Sequence, residues 1–247
     1  MKTTSTQKPQ HSGKSLYFIF LLSALLFAGN TGFAQQTTAV GTEKIWGKLD
    51  GIEIAGVVQG PSAQVSPLQI ACLFEYTEND IFNSPPALPA AVNGLVHLDH
   101  DMKGLVTELR KTGKFSGHSN ETILISPPAG TIGGKMLLLI GLGDRNKFNA
   151  DVMTTVGSVA MREALKLGVS SFSFASDLKD AGIDSPTALV ASNVVKGAFS
   201  AYRTQLWLKD KKMASFKPLT KIILLAGPAF FTVAGEGISE AITTLKN

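Results

Sequence analysis

A single cysteine, Cys72, stands in the 247 residues, so the chain cannot close a disulfide on itself in any compartment. It lies in the apolar run Gln69–Phe74 and reads as a small buried hydrophobe rather than a reactive thiol. Acidic residues are missing from positions 1–34; all 19 lie beyond. The apolar run Leu16–Ala28 holds 13 residues, interrupted only by Ser23. That is well short of the roughly 20 a helix needs to cross a bilayer. Also missing are the Gly-x-Ser-x-Gly elbow, the His-Glu-x-x-His metal pair and the phosphate-binding P-loop, which removes the simplest sequence warrants for hydrolase or nucleotide chemistry.

What the first 34 residues do contain is a leader pattern. Lys2, Lys8 and Lys14 give a positive start, Leu16–Ala28 the apolar centre, and Gly32-Phe33-Ala34 the small residues read by a signal peptidase. Cleavage is expected after Ala34, leaving Gln35 first. The protein is then exported, periplasmic or extracellular, with no stable membrane span and, lacking a cysteine after the apolar run, no lipid anchor. The whole chain carries +4, but three of its 23 basic residues sit in the leader. The remainder has 20 basic against 19 acidic residues, a charge of +1. That is no footprint for nucleic acid or an anionic membrane.

Strand-like and helix-like segments alternate along the rest. A hairpin is expected over Ile45–Val58 around Asp50-Gly51. Buried strands are expected at Gln69–Glu75 and Met136–Ile140, and further strands at Thr122–Ile125, Ser171–Ala175 and Lys221–Ala226. Helices are expected from near Asp99 or Asp101 to Gly113, from Asn149 to Gly168, from Ser185-Pro186 to about Arg203, and over Ile238–Leu245. Trp207, with Phe199 and Tyr202, is expected to pack a helix end on the sheet, and Lys209, Lys211 and Lys212 to form a solvated loop. This alternation predicts an α/β domain with a mixed, largely parallel central sheet.

Two groups of residues are candidates for chemistry. Gly141-Leu142-Gly143 follows a buried strand, where such a loop can line a ligand, but a dinucleotide fingerprint would need glycine at the position of Asn146. His97 and His100, with Asp99 and Asp101, form the densest set of metal-capable side chains, and histidines at i, i+3 can share a helix face. No further ligand is nominated, so neither metal nor cofactor is expected. His118 is read as a surface residue.

From Leu98-Asp99 onward the motifs fall in a familiar order: Phe115-Ser116-Gly117 before Thr122, then Leu138–Gly143, Ala164-Leu165-Lys166 with Gly168, and Lys196-Gly197-Ala198-Phe199 before Tyr202-Arg203. The stretch from Ile52 to Leu245 resembles the N-terminal domain of the leucyl aminopeptidase family. The resemblance implies a three-layer, macro-domain-like fold over residues 52–247, after a leader (1–34) and an N-terminal extension (35–51). In that family two metal ions and all catalytic residues belong to a separate C-terminal domain, whose signature Asn-Thr-Asp-Ala-Glu-Gly-Arg-Leu is absent here. The resemblance thus implies a non-catalytic binding or assembly module, pairing with itself or with an exported peptidase. The alternatives are a binder of ADP-ribose or a similar nucleotide in a macro-like cleft through Gly141–Gly143, and a remnant or truncated part of a metallo-aminopeptidase.

Overall fold

The structure, a computed structural model, describes residues 1–5 and 37–247. The apolar run Leu16–Ala28 and the expected cleavage point after Ala34 lie outside the described residues. Among the described residues, no helix is long and apolar enough to cross a membrane.

Seven strands form one sheet: β1 (Glu43–Leu49), β2 (Ile52–Val58), β3 (Gln69–Leu73), β4 (Thr122–Ile125), β5 (Leu137–Gly141), β6 (Ser171–Ala175) and β7 (Lys221–Ala226). Their order is β1-β2-β7-β6-β3-β5-β4. The five central strands run parallel, and the edge strands β1 and β4 are antiparallel to their neighbours. Asp50 and Gly51 turn the β1–β2 hairpin, both at positive φ (48° and 86°). β3 and β5 are buried along their whole length, as expected of strands covered on both faces.

Among the described residues, five α-helices cover the sheet: α1 (Gly94–Asp101), α2 (Leu105–Lys111), α3 (Val152–Leu167), α4 (Thr187–Asp210) and α5 (Phe231–Lys246). The crossovers β5–α3–β6 and β6–α4–β7 step toward β1 along the sheet, whereas the connection from β3 through α1, α2 and β4 to its parallel neighbour β5 steps the other way. Right-handed connections therefore place α3 and α4 on one face and α1 and α2 on the other. The result is the expected three-layer α/β sandwich with a mixed, largely parallel sheet. α3 and α4 cross closely because each presents a glycine to the other's backbone. A Cβ on Gly157 would stand 2.2 Å from the Val194 carbonyl oxygen, and one on Gly197 1.8 Å from that of Thr154. Ser158 Oγ donates to the Gly197 carbonyl (2.8 Å) at the same crossing.

Several helix ends differ from the expectation. α1 starts at Gly94, not near Asp99 or Asp101, because the buried Asn93 caps it by accepting from the Val96 amide (3.1 Å). Asp99 is buried instead, and its carboxylate accepts from the Thr107 amide and hydroxyl (both 2.9 Å), fastening α2. α4 runs seven residues past Arg203, so Lys209 is helical rather than in a loop. Phe199 and Tyr202 are buried as expected, but Trp207 is 59% exposed. α5 begins at Phe231, well before Ile238: Gly237 lies inside the helix because a Cβ there would meet the Ala188 carbonyl oxygen at 1.9 Å. β1 arises within residues 35–51 and pairs along β2. Cys72 is 1% exposed, and burial pushes its thiol well above the ordinary cysteine range.

Candidate functional site

A cleft of about 330 Å³ opens at the carboxyl ends of β2, β6 and β7. It is bounded by α1, the start of α4 and the turn before α5, and it lies beside β6 and β3, between which the crossover direction reverses. Open parallel sheets leave such a crevice there, because consecutive helices diverge to opposite faces. Val58, Leu178, Val190 and Phe230 contribute apolar walls, and the ionisable side chains lining the cleft are His97, Asp177, Lys179 and Asp180.

The two aspartates belong to the turn that leaves β6. Backbone bonds close this turn on itself: the Ala181 amide donates to Asp177 O (3.0 Å) and that of Ile183 to Leu178 O (2.8 Å). From outside, Asn93 Nδ2 donates to Asp180 O (2.9 Å), and Arg145 donates to the Ala181 carbonyl. Asp177 sits in the left-handed region (φ 55°), which aspartate tolerates better than most residues. Its side chain is buried, 8% of the residue being exposed, and Oδ2 accepts from the Cys72 amide at 3.1 Å. No protein group among the described residues bonds Oδ1, which is not sealed from solvent. Burial, followed by the neighbouring charge of Asp180, drives the Asp177 carboxyl well above the ordinary carboxylate range, while the Cys72 amide opposes the shift. Burial likewise pushes Asp180 up to about 6, against the pull of the Leu95 and Gly94 amides and of nearby His97. Lys179 is engaged elsewhere, donating to Asp184 at 2.7 Å.

Of the residues singled out in the sequence, only His97 lines the cleft. His100 points away, with 87% of its side chain exposed, and its Nδ1 lies 3.2 Å from Asp101. The two histidines therefore do not converge, and among the described residues no group of three or more His, Cys, Asp or Glu side chains is arranged to hold a metal ion. Gly141, Leu142 and Gly143 stand apart from the cleft. The Leu142 amide donates to Leu73 O, that of Gly143 to Gly117 O, and Gly143 O accepts from the Glu75 amide. A Cβ on Gly141 would lie 2.0 Å from the His118 carbonyl oxygen, so close packing against the 117–118 segment by itself requires glycine there. His118 is exposed, and its hydrogen bond to Glu75 (2.8 Å) raises the imidazole above its ordinary range. The aspartates were missed because Ser176–Ile183 reads as a polar loop. Their one sequence signal is the Asp177-x-x-Asp180 pair immediately after a buried strand.

Fold and cleft together define a macrodomain-like α/β domain. Residues 81–209 match the cytosol aminopeptidase family, N-terminal domain, over just more than half of the chain. The chain belongs to that family through this domain. Among curated proteins it is similar to a probable cytosol aminopeptidase of Roseiflexus castenholzii, at 28% identity over 134 residues (54% of this chain, 27% of the relative). A second, from Persephonella marina, is 30% identical over 128 residues (49% and 24%). Each match thus spans about a quarter of the curated relative. Among solved structures, tomato leucine aminopeptidase superposes with a TM-score of 0.54 at 21% identity, covering 87% of this chain and 38% of that one. An Oceanobacillus iheyensis macrodomain with MES bound gives 0.50 at 14% identity, covering 82% and 98%. At these identities the likeness is one of fold.

Proposed function

We propose that this protein is an exported, non-catalytic binding module of the aminopeptidase N-terminal type, which takes a small ligand in the cleft at the ends of β2, β6 and β7. The cleft carries the reading: it combines apolar walls with a few fixed polar groups, as ligand sites do. Support for a non-catalytic role comes from the match to the family's N-terminal domain. Support for export comes from the leader pattern of Lys2 to Ala34.

The test is thermal unfolding of the full chain against ADP-ribose, nucleotides, short peptides and divalent metals. A ligand at about 100 times its dissociation constant adds roughly 2.7 kcal/mol, or about 5–11 °C in melting temperature for a domain this size. A shift of that order from an organic ligand supports the reading, and a flat panel contradicts it. N-terminal sequencing of the protein recovered outside the cytoplasm is expected to begin at Gln35; recovery in the cytoplasm alone, with Met1 intact, would contradict export.

Assembly with itself or with an exported peptidase is a second reading. It draws on the two sheet edges, each with one side unpaired within the sheet, and on Leu124, 44% exposed on β4. Light scattering separates the readings: a dimer that Leu124→Lys dissociates favours assembly, and a monomer at micromolar concentration argues against self-pairing.

A further inference from the structure

We propose that the cleft recognises a small organic cation, a primary ammonium or similar N–H-rich group carried on an apolar body. This deepens the cleft-binding reading and rests on it. Asp177 is more than nine-tenths buried and lines the cleft, yet only one of its oxygens has a hydrogen-bond partner. Oδ1 is open to the cleft, so an arriving donor can take the place of solvent there. Asp180, three residues on in the same closed turn, lines the same space, so the turn presents two carboxyl groups to one ligand.

The protein supplies little positive charge of its own. Lys179 is paired with Asp184, and His97 is the other cationisable group lining the cleft. An arriving ammonium provides both the donor that Asp177 Oδ1 lacks and the counter-charge the pair lacks, and such charge-assisted bonds are the stronger kind. Phe230, Leu178 and Val190 offer apolar surface to the rest of the ligand, and the Phe230 ring already has Lys179 Nζ 5.8 Å from its centroid. A volume of about 330 Å³ lies at the small end of ligand sites, which favours a compact molecule.

The test uses three probes of one shape and different charge: hexylammonium, 1-hexanol and hexanoate. Their affinities for the full chain are measured by ligand-observed NMR at pH 8, where Asp180 is ionised. Hexylammonium is expected to bind at least tenfold more tightly than hexanol, and hexanoate most weakly. Ala91→Trp, an exposed position on the cleft rim, is expected to weaken all binding. Asp177→Asn is expected to remove the preference for the cation at a melting temperature no lower than the wild type's, since asparagine also accepts the left-handed backbone and the Cys72 amide and carries no buried acid. Equal affinity for hexanol and hexylammonium, with both sensitive to Ala91→Trp, would overturn the cation while leaving the cleft as a ligand site. No binding, or binding indifferent to Ala91→Trp, would overturn both. The wild-type comparison decides the charge question even if the aspartate variant fails to fold.

Discussion

At the scale of single residues, the molecule keeps its buried charges in two different ways. Arg110 and Asp80 are buried together, the side chains 1% and 3% exposed. Arg110 reaches both oxygens of Asp80, and its Nε donates to the Phe74 carbonyl at 3.1 Å. Every strong group there has a partner, so the pair is structural. Arg110→Ala strands a buried carboxylate and a carbonyl, and is expected to cost about 3–5 kcal/mol in urea unfolding. A loss under about 1 kcal/mol would show that water reaches Asp80. Asp177 and Asp180 are the opposite case, buried acids without a basic side chain committed to them. Because the folded state raises Asp180 from 3.8 to about 6, it holds a proton that the unfolded chain gives up. The stability gained from that proton is present below about pH 4 and is lost as pH rises through about 6. Asp180→Asn is therefore expected to match the wild type near pH 4 and to exceed its stability at pH 7, by on the order of 3 kcal/mol. The same difference at both pH values would contradict the assignment.

At the scale of elements, legibility followed the range of the forces involved. Strands β4, β6 and β7 have the ends expected of them, because a run such as Lys221–Ala226 declares a covered strand from its own composition. Gly168 stops α3 as expected, but several other helix ends differ, because contacts from distant sequence decide them. Gly235 and Gly237 look like helix breakers, yet they sit inside α5 where its backbone meets α4 and the Trp46 ring. Asn93 looks like one more loop residue, yet it caps α1 and ties it to the turn that carries Asp180. The cleft was illegible for the same reason: His97, Asp177 and Phe230 meet only after the crossovers are drawn. The α3–α4 crossing offers a direct test of this view. Gly197→Ala should raise intrinsic helix propensity by about 1 kcal/mol. The clash with the Thr154 carbonyl is nevertheless expected to dominate, with a net loss of about 2 kcal/mol or more in chemical unfolding. A stabilised variant would mean that the two helices part readily.

At the scale of the whole molecule, family and function separate. The family assignment rests on residues 81–209, whereas the cleft also draws on β2, on β7 and on the turn before α5, outside that span. The aminopeptidase relatives therefore say little about what the cleft holds, and the buried aspartates say more. Amide NMR of the labelled chain, titrated with hexylammonium and separately with ADP-ribose, locates a ligand without assuming where it binds. The proposed function predicts that shifted amides cluster at residues 58–60, 94, 176–180 and 226–227. A cluster at Gly141–Gly143, or shifts scattered without a centre, would contradict it.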